Sequence, residues 1–540
     1  MTGVGFAFRL GRWGIAGFAA LALVSSFIQA LAFYQLAGRT GADRAAFGRS
    51  MSVLASQLTV ILPPPIRPDT VGGFVQFRAF GGLAILFAVW ALASAGGAAR
   101  GDEERGLVEA VLATGSARVA MVASRIAAFS AGSFAAALAA GLALILAAIH
   151  GGESVSLRSV VEAAIVLAAL AVSCYALTML IAQLTGARMS TPAAGVVLLA
   201  LFLDNSLSRT FASLSSVRWL SPFRYYELSY PLAPGGTFDV RATLTLLAIA
   251  LVAGIAAAVA FALRDLGSPL LRLPAWSHAP SYDPSSGRWW RIAVVRGLFD
   301  GRAGLAAWAL GLAALGAVFV ALTKSIVEPL LSIPELAPYF AAFVHGDVYL
   351  SFLGFIWLGF AQLLFAAFAI TQVARWSAED ADGRLELILS QPRSRAAIVL
   401  ERALVFAVGA SFMAAISGLS VGYASHAQAI DVNGARLAGA SFLLVPFALV
   451  FAAAGSLLAA WNPHATVGLL GAFAFGSYLV TQVGPLFEWP AWVEDLSAFK
   501  LYGNPLAAGI DGTGLATMLV IIVVGFAMSM LAMQSRDIAA

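Results

Sequence analysis

The chain has 540 residues, of which 60% are apolar and only 11% charged, and its mean hydropathy is +0.88. A soluble domain carries roughly a quarter charged residues, so this composition excludes a soluble enzyme and predicts an all-α polytopic membrane protein. The net charge of +4 belongs to an Arg-rich chain whose only lysines are Lys324 and Lys500. With no basic stripe interleaved with stacking aromatics, that charge points to membrane topology and away from nucleic acid.

In chain order, Arg9 and Arg12 precede an apolar run from Trp13 to Leu36, with Ala30-Leu31-Ala32 as a weak cleavage match. The run exceeds the usual leader core of about 7–15 residues and reads as an uncleaved first helix, preceded by a short amphipathic stretch from Phe6 to Trp13. Crossing about 30 Å of hydrocarbon takes roughly twenty apolar residues. On that criterion the first half carries spans at 14–36, 79–99, 122–149, 160–184, 191–208 and 242–263. The loop 37–78 holds Arg39, Arg44, Arg49, Arg67 and Arg78, and Pro63-Pro64-Pro65 forbids one continuous helix there. Cys174, the one cysteine, lies inside an apolar run and excludes an intrachain disulfide. Residues 264–302, with Pro269, Pro274, Pro280, Pro284 and several serines, read as a linker. It closes on Arg288-Trp289-Trp290-Arg291 and then Val294, Val295, Leu298 and Phe299. That stretch is either an interfacial elbow helix or an aromatic-basic anchor for the next span. Further spans follow at 303–323, 350–374, 400–424, 437–460, 465–484 and 513–533. The expected architecture is about twelve spans in two pseudo-symmetric six-helix halves. Residues 1–265 form the first, 266–300 a linker with an elbow helix, and 301–540 the second. Both termini then share a side, which the Arg-rich connector Arg100, Arg105, Arg118 and Arg125 assigns to the cytoplasm of the plasma membrane.

The strongest signal is an internal repeat. Residues 102–125 (DEERGLVEAVLATGSARVAMVASR) align without a gap on 379–402 (EDADGRLELILSQPRSRAAIVLER). The alignment pairs Asp102 with Glu379, Glu103 with Asp380, Gly106 with Gly383, Glu109 with Glu386, Arg118 with Arg395 and Arg125 with Arg402. Each copy reads as a short amphipathic helix, a break at Gly115 or Pro392, and a new membrane helix that Ser116 or Ser394 would cap. In the second copy Leu385, Ile388 and Leu389 share one face, and Glu386 lies on another. A single such helix reads equally as a solvated connector. Two with matching acids and arginines suggest paired docking sites for two identical partners. Two further echoes are Leu220-Ser221-Pro222-Phe223 against Leu496-Ser497-Ala498-Phe499, and Arg264-Asp265 against Arg536-Asp537.

These motifs resemble the coupling region of ABC-2 type exporter permeases. The fused two-half length is similar to the polyketide-antibiotic exporters, with the tetronasin-type multidrug efflux members nearest. The resemblance implies that the loop after the second helix of each half meets a separate cytosolic ATP-binding subunit, two copies in all. It places Glu103, Gly106, Glu109 and Arg118, and Asp380, Gly383, Glu386 and Arg395, at those ATPases. ATP and Mg would be bound by the partner, and the cargo would be a hydrophobic or amphipathic small molecule.

The chain has no Gly-x-x-x-x-Gly-Lys-(Ser/Thr) phosphate loop, so no ATPase activity, catalytic residue or bound cofactor is expected of it. It has no zinc-binding His-Glu-x-x-His pair either, and His345, His426 and His464 read as ordinary loop or interface residues. A path between the halves would be lined by Phe87 and Trp90 of the second span and by Phe355, Trp357, Phe360 and Gln362 of the eighth. Each of these reads equally well as a packing or lipid-facing residue. The alternative is an ion-coupled secondary transporter with the six-plus-six major-facilitator layout. That class keeps carboxylates within its spans, whereas here Glu162 and Asp204 fall at or near span ends. A lipid-processing membrane enzyme would need a polar catalytic cluster near the interface, which the sequence does not offer.

Overall fold

A computed structural model describes residues 3–38, 40–57, 63–209, 213, 215–271, 292–331, 348–381, 384–390, 392–463, 465–484, 487 and 489–535. These residues are mostly helical and contain no strand. Eleven helices are long and apolar enough to cross a membrane, and a further apolar helix, Thr466–Gln482, is shorter. The chain divides into two compact units, residues 1–279 and 280–540.

In the first unit the helices run α1 Gly3–Leu36, α2 Gly41–Gln57, α3 Val71–Glu104, α4 Leu107–Ala113, α5 Arg118–His150, α6 Leu157–Leu184, α7 Ala187–Leu207, α8 Pro222–Tyr226 and α9 Val240–Leu263. The stretch from Phe6 to Trp13 is not a separate interfacial helix. No proline or turn separates it from the apolar run, so it forms the first turns of α1. The loop after α1 contains α2, which carries Arg44 and Arg49, and Arg44 pairs with Glu153. Within α3, residues Gln76–Phe80 and Gly97–Gly101 are wound as π-helix, the second just before the acidic pair Asp102 and Glu103. At the start of α3, Gly72 leaves room for a returning loop, since a Cβ there would stand 2.1 Å from the Leu232 carbonyl oxygen.

α6 is the centre of this unit. Its residues from Val166 to Ala176 are all buried, as expected of a helix that is apolar on every face. Ser173 hydroxyl donates across to the Leu246 carbonyl of α9 at 2.7 Å. α1 packs along α5, where Gly132 lets Ile15 approach to 2.7 Å from the position of a Cβ.

The second unit runs α10 Ala293–Leu331, α11 Val348–Ala381, α12 Arg384–Leu389, α13 Arg395–Ala427, α14 Gly434–Trp461, α15 Thr466–Val483, α16 Ala498–Tyr502 and α17 Gly512–Ser535. Of the expected elbow, Arg288 to Arg291 lie outside the described residues. Val294, Val295, Leu298 and Phe299 belong to α10, which continues unbroken into the span. The packing repeats that of the first unit. α10 lies along α13, with Leu305 against Gly409, and α14 meets α17 through a Ser456–Ser529 hydroxyl contact of 2.8 Å. The Ser-x-Phe echo is the same short helix in both units. Ser221 caps α8 through the Phe223 N–H, and Ser497 caps α16 through the Phe499 N–H.

Candidate functional site

The repeated segment builds the same joint at the corresponding end of each unit. In α4, Val108 is buried while Glu109 is exposed; in α12, Leu385 is buried while Glu386 is exposed. Each short helix therefore lays an apolar side chain on its own unit and presents a carboxylate outward. Gly106 precedes α4 with φ +72° and Gly115 follows it with φ +84°, left-handed turns that glycine adopts without a steric penalty. Gly383 lies outside the described residues. Ser394 caps α13 by accepting from Ala397 N–H at 3.1 Å, as expected. Ser116 does not cap α5: the cap position falls on Ala117, and the Ser116 hydroxyl meets that of Thr114 at 3.2 Å.

Arg118 and Arg395 do one shared thing: both turn inward. Arg118, the first residue of α5, donates to the carbonyls of Phe261 and Arg264 at 3.1 and 2.6 Å, at the end of α9. Arg395, the first residue of α13, donates to Met533 and Gln534 carbonyls at 2.7 and 3.3 Å, at the end of α17. A cation at a helix C-terminus satisfies carbonyls that lack intrahelical partners and opposes the helix dipole. Each arginine thus fastens the helix after the amphipathic segment to the last spanning helix of its unit. A second shared contact is an acid–arginine pair. Arg125 pairs with Asp102, and Arg402 pairs with Glu379 at 2.8 Å and Asp380 at 3.1 Å.

Around Glu103 the first unit adds a buried knot. Its carboxylate accepts from both terminal nitrogens of Arg264, from Arg100 and from the Gly267 N–H. Arg264 Nε reaches the Gln183 side-chain oxygen at 2.7 Å, and Arg100 donates to the carbonyls of Ala182 and Thr185 at 2.8 and 2.7 Å. The Arg100, Glu103 and Arg264 side chains are 3%, 5% and 1% exposed, so their charges depend on one another and on these carbonyls. The π-helical turn at Gly97–Gly101 immediately precedes this cluster, a distortion common at functional positions. Arg264 drew attention as part of an echo. Gln183 gave no signal, because an amide inside an apolar span has no motif to mark it.

Of the aromatic residues considered for a path, Phe87 is fully buried and lies with Phe18, Trp90 and Phe129 in one aromatic cluster. In the second unit Trp357 and Gln362 are buried, Phe360 stacks on Phe319, and Phe355 is 64% exposed. His426 lies in the last turn of α13, and His345 and His464 lie outside the described residues.

At the opposite end of the first unit stands a cluster that sequence reasoning missed. Glu227 accepts from Asn205 at 2.8 Å and from Arg209 on both nitrogens it reaches. Burial raises the Glu227 carboxyl above its ordinary range, and Arg209 opposes that shift.

Long apolar helices whose buried charges gather at helix ends define a multi-pass α-helical membrane protein. Its residues 2–262 and 300–534 match the family described as multidrug efflux system permease Rv1217c, C-terminal domain, and the chain belongs to that family of multidrug efflux permeases. No curated protein matches the chain.

Proposed function

We propose that this chain is the permease subunit of an ATP-driven ABC exporter. In this reading two copies of a separate cytosolic ATPase dock on α4 and α12, and the cargo is a hydrophobic or amphipathic, antibiotic-like small molecule. The observation that carries the reading is the duplicated amphipathic helix, with Val108 and Leu385 buried and Glu109 and Glu386 exposed. Membership of a drug-efflux permease family agrees with it. α15 completes a second set of six helices, with both termini on the cytoplasmic side of the plasma membrane.

ATP and Mg belong to the partner, whose closure draws the two docking helices together. Glu109, with the turns at Gly106 and Gly115, and Glu386 supply the docking surface. Glu103, Arg118, Asp380 and Arg395 act behind it as fasteners. Because Arg118 and Arg395 tie α5 to α9 and α13 to α17, displacement of a docking helix is passed to two spanning helices at once. Alternating access then follows as a rigid-body change within the membrane. In this reading Trp90, Phe355 and Phe360 border the path, and the buried Phe87, Trp357 and Gln362 pack behind it.

The complex is tested by co-purification and native mass spectrometry, with two ATPase copies per chain expected. Proton-driven transport by the chain alone in liposomes would overturn the reading in favour of a secondary transporter. Orientation is tested in a Cys174→Ser background, where Ala46→Cys should react with an impermeant thiol reagent in intact cells and Thr114→Cys should not. The reverse pattern would put α4 out of reach of a cytosolic ATPase.

A further inference from the structure

The second unit contains a cavity of about 200 Å³ enclosed by α10, α11 and α13. Its lining includes Gly301, Gly304, Trp308, Arg375, Trp376 and Arg402, and it carries two cations and no carboxylate. We propose that this cavity binds the head of an anionic amphiphile, a phosphate-bearing group whose apolar chains remain in the bilayer.

Size sets the first limit. Drug-sized ligands occupy pockets of roughly 300–1,000 Å³, so this cavity holds only a head of phosphoglycerol dimensions, and the bulk of the ligand stays outside. The wall formed by α10 is open, because a Cβ at Gly304 would meet nothing within 4 Å and one at Gly301 only Leu305 at 4.0 Å. The floor is aromatic: Phe368 stacks on Phe406 at 5.1 Å, with Trp308 edge-on to Phe368 at 5.9 Å.

Charge sets the second limit. Arg375 is exposed and pairs with no carboxylate among the described residues. Arg402 spends Nη2 on Glu379 and Asp380, while its Nε and Nη1 make no hydrogen bond among the described residues. Guanidinium groups with free donors recognise phosphate oxygens in a forked geometry.

Depth sets the third. Arg375 lies six residues before the end of α11, and Arg402 seven residues after the start of α13. At 1.5 Å per residue each stands about 10 Å from its helix end, close to the headgroup boundary, where Trp308 and Trp376 are also favoured. In the first unit the corresponding positions of α3 are Ser94, Ala95, Ala98 and Ala99, in place of Thr371, Gln372, Arg375 and Trp376. That unit therefore offers neither the cation nor the tryptophan.

The test uses the full chain in nanodiscs and reads tryptophan quenching by brominated phosphatidylglycerol against brominated phosphatidylcholine. Wild type should be quenched by the acidic lipid at roughly tenfold lower mole fraction, the effect of one charge-assisted contact. Arg375→Gln should lose that preference, Arg375→Lys should keep most of it, and Trp376→Phe should lose part of the acidic-lipid signal. Dodecyl phosphate added to neutral nanodiscs distinguishes the source. Competition supports a site open to cargo-like amphiphiles, and its absence beside tight phosphatidylglycerol binding supports a resident lipid. Equal quenching by the two lipids in wild type overturns the site. So does a preference that survives in both Arg375→Gln and the Trp376→Phe, Trp308→Phe double variant.

Discussion

The two ends built by the repeat begin alike and finish differently. Both units bury an aliphatic side chain of the short helix, expose its glutamate, pair the next helix's arginine with the acidic pair, and fasten that helix to the last span. Beyond that point they diverge. In the first unit Arg100 enters the Glu103–Arg264 knot through a π-helical turn. The matching position in the second unit is Ser377, whose hydroxyl is buried without a partner among the described residues, on an α-helix with no π turn. The second unit places its arginine two residues earlier, at Arg375, about 200° around an α-helix from that position. There it faces a cavity instead of a neighbouring helix end. The shared contacts are those of the repeated segment; beyond them the first unit closes a buried ion knot and the second leaves an arginine beside a cavity.

The largest effect should come from removing the lock. Glu103→Gln leaves Arg100 and Arg264 buried without a counter-charge, which costs about 3–5 kcal/mol when one partner of a buried pair is lost. In the second unit Glu379→Gln, at the position that aligns with Asp102, touches a side chain that is 40% exposed, with Asp380 still on Arg402; its expected cost is about 1 kcal/mol or less. Thermal unfolding of the two variants in one detergent checks the contrast. Equal losses would mean that the knot adds nothing beyond the shared pair.

Next come the exposed glutamates. Glu109→Ala and Glu386→Ala should each lower substrate-stimulated ATPase activity of the assembled complex about tenfold, the effect of one charged hydrogen bond to a partner, while the chain remains folded. Unequal losses would show that the two docking surfaces differ, as Glu104 opposite Ala381 suggests. Full activity in the double variant would remove α4 and α12 from docking.

The fasteners should behave as a matched pair with a smaller effect. Arg118→Gln and Arg395→Gln each remove a cation from a helix C-terminus, at about 1 kcal/mol. Hydrogen exchange should rise over the last turns of α9 and α17 by similar factors. A rise in one unit alone would end the equivalence drawn from the repeat.

Most of this comparison was legible in the sequence, because length and hydropathy mark spans and a gapless repeat marks equivalent positions. Ser394 caps its helix where local pattern placed it, whereas Ser221 and Ser497 were legible only as an echo and their capping role comes from the structure. What pattern could not show is direction. Arg118, Arg395 and Glu103 read as docking residues because the resemblance to ABC-2 type permeases places the whole repeated segment at a partner. Their inward turn depends on where α9 and α17 end, far away in sequence. A separate elbow at Phe6 to Trp13, and one of the two readings of 288–299, rest on a change from amphipathic to apolar texture that looks like a boundary. A helix with no breaker has no physical reason to stop there. Glu227 was missed for a related cause, since nothing local announces that Asn205 and Arg209 will enclose it.

The smallest expected effect concerns that carboxylate and tests whether charge at the opposite end of the first unit is also held by mutual contacts. Burial raises the Glu227 carboxyl in the folded state, against the pull of Arg209 and Asn205. A raised acid binds its proton more tightly folded than unfolded. Its contribution is therefore fully present below the unfolded value of about 4.3 and is lost as pH rises through the folded value. Glu227→Gln keeps an acceptor for the Asn205 amide and does not titrate. The stability of wild type relative to this variant should therefore climb as pH falls from 8 toward 5, measured as the difference between two thermal-unfolding series in the same detergent. A difference that stays flat over that range and falls only at still lower pH would mean that Arg209 outweighs burial and holds the carboxylate ionised. Glu227 would then be locked as firmly as Glu103, and the contrast between the knot and this cluster would disappear.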